Sequence, residues 1–163
     1  MRLHECKIAD EAHWILDGLG HDVVGLLLAV ERKLAALHDP DISWRTTTAE
    51  TGFFRALAGK RRDVLVIEHS RFREHAVLVS CKAHGVVLHV SWMVVVTPRL
   101  ANDMQRLIRF EKGPGQRFDV GAELDVFDVM DLRAFFDITR LVLKKAMREL
   151  TDDESLGDVD NDG

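Results

Sequence analysis

Two valine-rich runs, His75 to Ala83 and Val86 to Val96, alternate on either side of His84-Gly85. Alternation with a period of two is the mark of a half-buried strand, and a glycine in a two-residue connection supplies the positive φ that a tight hairpin needs. The spacing predicts a hairpin in which Ala83, Cys81, Val79, Val77 and His75 face Val86, Leu88, Val90, Trp92 and Val94. That face is apolar, whereas the other carries Lys82, Ser80, Leu78 and Ala76 against Val87, His89, Ser91 and Met93. One apolar and one mixed face is what an antiparallel sheet covered on one side requires. Val64 to His69 extends the meander, with Leu65, Ile67 and His69 on the core face and His69 across from His75.

Helical periodicity brackets this meander. Ile8, Ala12, Ile15, Leu19, Val23, Leu26, Val30, Leu34 and Leu37 recur at steps of three and four, which predicts a helix from Ile8 to Leu37 that stops before Pro40. Gly18 and Gly20 are the places where it could divide. Ile42 to Thr48 reads as a short extended segment and Thr51 to Leu57 as a short helix. Thr97-Pro98 opens a helix to about Phe110, Leu124 to Met130 reads as a fourth strand, and Asp131 caps a final helix with the stripe Leu132, Phe135, Phe136, Thr139, Val142, Leu143, Ala146 and Leu150. The expected fold class is α+β. A three- to four-stranded antiparallel meander packs against a long N-terminal helix and two C-terminal helices, in one domain over residues 1–150 with an acidic disordered tail over 151–163.

Charge and composition exclude several function classes. The net charge of −5 is concentrated in that tail, so the rest of the chain is close to neutral and has no global field to attract nucleic acid. Cys6 and Cys81 have no metal or redox spacing and read as reduced thiols. No apolar run reaches the ~20 residues of a membrane span, and Met1 to Asp10 has no apolar signal core; a cytoplasmic location is expected.

The residues that could carry chemistry form weak constellations. His69 and His75 could share a metal, but a zinc site needs three or four ligands. Ser80 opposite His89 could form a serine–histidine pair, yet no orienting acid, oxyanion hole or strained elbow accompanies it. Asp125, Asp128 and Asp131 would share a face and could hold Mg²⁺ only if that stretch were helical. Asp158-Val159-Asp160-Asn161-Asp162-Gly163 matches the opening half of a calcium loop without the ligands that complete it. Gly113-Pro114-Gly115-Gln116-Arg117 lacks both phosphate-loop patterns. No catalytic residue, metal site or cofactor is therefore expected.

Two binding readings remain. The first helix is too apolar around Leu26 and Val30, and the second sheet face too apolar around Val87, His89 and Met93, for either to be left in water. These residues are the expected interface of a homodimer or a contact with another protein, so the leading expectation is a non-enzymatic binding or assembly module. The alternative is an anion or nucleic-acid binder using Arg99, Arg106 and Arg109, although no aromatic residues interleave with them to stack bases. A small metal-dependent enzyme using the histidines ranks third.

Overall fold

The hairpin forms where the alternation puts it. In the computed structural model, which describes residues 7–49, 62–96 and 125–151, the fourth and fifth strands are joined by Gly85 and Val86. Gly85 has φ +63°, the positive value at the first turn position that a type II′ hairpin demands. The elements run β1 (Lys7–Leu16), α1 (Val23–Ala36), β2 (Ile42–Ala49), β3 (Arg62–His69), β4 (His75–His84), β5 (Val87–Val96) and α2 (Val126–Thr151). The strands make one five-stranded antiparallel sheet in the order β1-β5-β4-β3-β2. The fold is α+β, and α1 and α2 are the helices among the described residues.

The turn sits one residue later than His84-Gly85 predicts. Ala83 therefore pairs with Leu88, Cys81 with Val90 and Val79 with Trp92. This moves each partner by two positions, an even number, so no side chain changes face. Glu68 pairs with Ala76, which puts Leu65 and Ile67 on the predicted core side.

The expected helix over Ile8 to Leu37 is two elements. Its first third is the edge strand β1, antiparallel to β5. Steps of three and four pass through this stretch, but so does a period of two: Ala12, Trp14 and Leu16 turn to the core while Glu11, His13 and Ile15 turn away. Pairing decides between the two patterns. Without β1, the β5 edge would leave a row of backbone groups unpaired. Ala9 is an extra residue in the ladder, since Ile8 pairs with Val95 and Asp10 with Val94. Gly18, at φ +76°, and Gly20 then break the chain before α1. Gly20 is a forced choice: its N–H donates to the Val86 carbonyl at 2.8 Å, and a Cβ there would lie 2.0 Å from the Gly85 oxygen.

The predicted fourth strand is the other correction. Val126 to Met130 is the first turn of α2, and Asp131 lies inside that helix rather than capping it. The cap is Asp125. Its carboxylate accepts from the Asp128 N–H at 2.8 Å while Asp128 accepts from the Asp125 N–H at 3.2 Å, a reciprocal capping box. Thr151 closes α2, its hydroxyl donating to the Met147 carbonyl at 3.0 Å. The helix predicted over Thr51 to Leu57, the one after Thr97-Pro98, Leu124, the Gly113 loop and the tail beyond Thr151 lie outside the described residues.

Both helices belong to one core. Leu26, Leu27, Ala29, Val30 and Leu34 of α1 join Leu132, Phe135, Val142, Leu143, Ala146 and Met147 of α2 in a cluster with Leu65, Ile67, Val77, Val79, Val90 and Trp92 of the sheet. Trp92 is anchored there by a polar relay, its Nε1–H donating to Thr139 Oγ1 at 3.2 Å and that hydroxyl donating to the Phe136 carbonyl at 2.8 Å. Val64, Val66, Ala76, Leu78, Met93 and Val95 form a second buried cluster on the opposite sheet face.

Candidate functional site

Three polar constellations and one apolar surface emerge. The first lies on the second sheet face, where Ser80 pairs with Ser91 and not with His89, which pairs with Lys82. His13 does reach a serine. From β1 its Nδ1 lies 3.0 Å from Ser91 Oγ, and its Nε2 lies 3.5 Å from Glu11 Oε2. Hydroxyl, imidazole and carboxylate thus stand in the order of a nucleophile, base and orienting acid. The rest of the apparatus is missing among the described residues. Ser91 is only 7% exposed. It sits in β5, between β1 and β4, where the ladders on both sides engage the backbone N–H groups that an oxyanion would need. The array is a polar cross-strand clamp holding the edge strand β1 to the sheet. It was legible in principle, because Glu11 and His13 are two apart and so share one face of a strand; reading the segment as a helix hides it.

The second constellation is the His69/His75 pair. The two rings turn inward to phenylalanines. His69 lies 4.9 Å from Phe72 and 5.4 Å from Phe135, and His75 lies 6.1 Å from Phe136 between ring centroids. His75, expected at an open rim, is 2% exposed. Its burial disfavours the charged imidazolium and pushes its pKa down to about 4. Cys81 is likewise a core residue whose burial pushes the thiol up to about 12, away from the reactive thiolate.

The third is the aspartate series. The stretch is helical, and Asp128 and Asp131 do converge on one cation, which is the guanidinium of Arg71. Arg71 Nη2 lies 2.5 Å from Asp128 and Nη1 lies 2.9 Å from Asp131. The pair pins the β3–β4 loop to the first turns of α2. Among the described residues, no three His, Cys, Asp or Glu side chains group as metal ligands.

The expected interface residues separate. Leu26, Val30 and Met93 are buried within the chain's own two clusters, and Val87 and His89 are half-buried. Arg99, Arg106 and Arg109 lie outside the described residues. Exposed large apolar side chains are found on β1 (Ile8, Ile15), in the β4–β5 turn (Val86) and on both helices. Val24 and Leu28 project from α1, and Phe127, Met130, Ile138 and Leu141 from α2, at 72%, 62%, 37% and 48% exposure for the last four. The sequence contains the signal, since α2 has apolar residues on two opposite faces, but the core stripe alone suffices to predict the helix.

No described helix is long and apolar enough to cross a membrane. No protein-family profile matches the chain, and no curated protein or solved structure matches it significantly.

Proposed function

We propose that this protein is a non-enzymatic binding module that works through protein–protein contacts, with a second copy of the same chain as its partner. The observation that carries this reading is the row of large apolar side chains on the outside of α2. Burying one such side chain is worth ~1.5–3 kcal/mol. Single exposed apolar residues are ordinary, but an aligned row amounts to a continuous patch, the feature that distinguishes partner surfaces. The core does not need it, because α2 already anchors itself through Leu132, Phe135, Val142 and Leu143.

The non-enzymatic half of the proposal rests on how the polar groups are engaged. Arg71 takes up Asp128 and Asp131, phenylalanine rings lie against His69 and His75, and the Ser91–His13–Glu11 array has no oxyanion site among the described residues. No cofactor is part of the proposal. Sedimentation velocity from ~1 to ~100 µM, the range in which a modest apolar interface associates, tests it. The weight-average mass rises above the 18.5 kDa of one chain toward twice that value. A single 18.5 kDa species at every concentration overturns the proposal.

A further inference from the structure

We propose that the acidic segment from Asp158 to Asp162 folds back along α2 onto the cationic flank formed by Arg140, Lys144 and Arg148, as a tethered competitor that keeps other polyanions off that flank. The inference goes beyond the assembly reading and does not depend on it.

The unpaired cations come first. The second half of α2 carries Arg140, Lys144, Lys145 and Arg148 against Glu149 alone. Glu149 is taken by Arg32 and Lys33 of α1, at 3.4 and 2.6 Å. Among the described residues, no carboxylate pairs with Arg140, Lys144, Lys145 or Arg148. Arg140 has its Cζ 5.8 Å from the centre of the Trp92 ring, a contact that supplies no carboxylate. Arg148 is the sharpest case. Its Nε is buried and has no hydrogen-bond partner among the described residues, which marks this guanidinium as short of an acceptor.

The complementary excess follows directly in the chain. Residues 152–163 hold six acids and no Lys or Arg. Asp152, Asp153 and Glu154 come straight after α2, where the helix dipole disfavours negative charge. Both mismatches are relieved if the chain turns back over the cations.

Spacing joins the two. Arg140, Lys144 and Arg148 recur every fourth residue, so they lie along one flank of α2 at steps of about 6 Å. Asp158, Asp160 and Asp162 recur every second residue, so in an extended chain they share one side at steps of about 6.7 Å. Six residues, Asp152 to Gly157, separate the end of α2 from Asp158. That is enough for a reversal, and Gly157 suits a turn of positive φ. Laid antiparallel, Asp158 meets Arg148, Asp160 meets Lys144 and Asp162 meets Arg140. The drift over the set is about 1–2 Å, within the reach of these side chains. Each exposed pair is weak alone, but the tether sets an effective concentration in the millimolar range. Salt screens the contact away.

The direct test places a nitroxide label on Val159→Cys in the full chain, with Cys6→Ser as background, since Cys81 is buried. At ~50 mM salt, where screening is weak, the amide signals of residues 140–148 are expected to broaden. Those of Val126 to Met130, more than ~20 Å away along the same helix, stay sharp, and ~0.5 M salt removes the effect. No broadening at low salt overturns the contact. Broadening that persists when labelled chains are mixed with separately nitrogen-15-labelled chains places the segment on another copy and overturns it as well. The competitor role is read on immobilised heparin, a model polyanion. The variant Asp158→Asn, Asp160→Asn, Asp162→Asn is expected to elute at higher salt than the wild type. Adding Lys144→Gln and Arg148→Gln returns it to the wild-type position. Asp10→Asn, Asp17→Asn, Asp63→Asn removes as much charge elsewhere and leaves the elution where it is. An equal shift from this control, or a shift that survives the loss of both cations, overturns the role.

Discussion

Replacing His75 by leucine should flatten the acid limb of the stability curve. His75 has a folded pKa of about 4 against an ordinary value of 6.5, because its burial beside Phe136 disfavours the imidazolium. The unfolded chain therefore takes up a proton first. The stability contributed by the neutral ring is complete above about pH 6.5 and is lost as the pH falls toward 4. Integrating between pH 7.5 and 5.0 gives a loss of about 2 kcal/mol from this one residue. Urea unfolding followed by tryptophan fluorescence at those two pH values reads it directly. With a slope of ~1–3 kcal/mol per molar urea, the wild-type midpoint should fall by about 1 M more than that of His75→Leu. Every other ionisable group is common to both proteins, so the difference between the two isolates His75. Equal midpoint shifts in wild type and variant would refute the argument, and would mean that the ring is solvated or charged in the folded state.

Two further substitutions probe the packing. Thr139→Val keeps the side-chain volume but leaves the Trp92 indole N–H without its acceptor in the core; it should cost about 1–3 kcal/mol by chemical denaturation and shift the Trp92 emission. Gly20→Ala drives a methyl group against the Gly85 carbonyl and should cost at least ~1–3 kcal/mol, while Gly18→Ser, which meets open space but sits at positive φ, should cost only ~1 kcal/mol. Equal effects at the two glycines would contradict the close approach at Gly20.

What the sequence discloses depends on whether neighbouring residues or distant ones decide the outcome. β3, β4 and β5 are legible because alternation and a turn glycine are local signals. The even displacement of the hairpin pairing is invisible to them, since it changes no face. β1 is not legible, because Ala12, Trp14 and Leu16 satisfy a strand while Ile8, Ala12 and Ile15 satisfy a helix. The exposed edge of β5, some eighty residues away, decides between them. The same error conceals the His13–Ser91 contact, which exists only once β1 is a strand. At α2, the alternation of Val126 and Phe127 with aspartates imitates a strand, and the Asp125–Asp128 capping box is the stronger local signal. The convergence of Asp128 and Asp131 follows from helical spacing, but that their cation is Arg71 follows from the β3–β4 loop. Apolarity around Leu26 and Met93 correctly marks burial. Composition alone cannot separate burial inside one chain from burial between two.

The central claim is that the outward face of α2 is in contact when the protein is at work. The most direct measurement is a dilution series of methyl-resolved NMR spectra on the intact chain. The account predicts concentration-dependent shifts for the methyl groups of Met130, Ile138 and Leu141, with Ile15 and the core methyl groups of Leu65 and Val90 unmoved. Invariant α2 methyl groups up to ~1 mM, where even a weak complex forms, or shifts confined to Ile8 and Ile15 on β1, would contradict it.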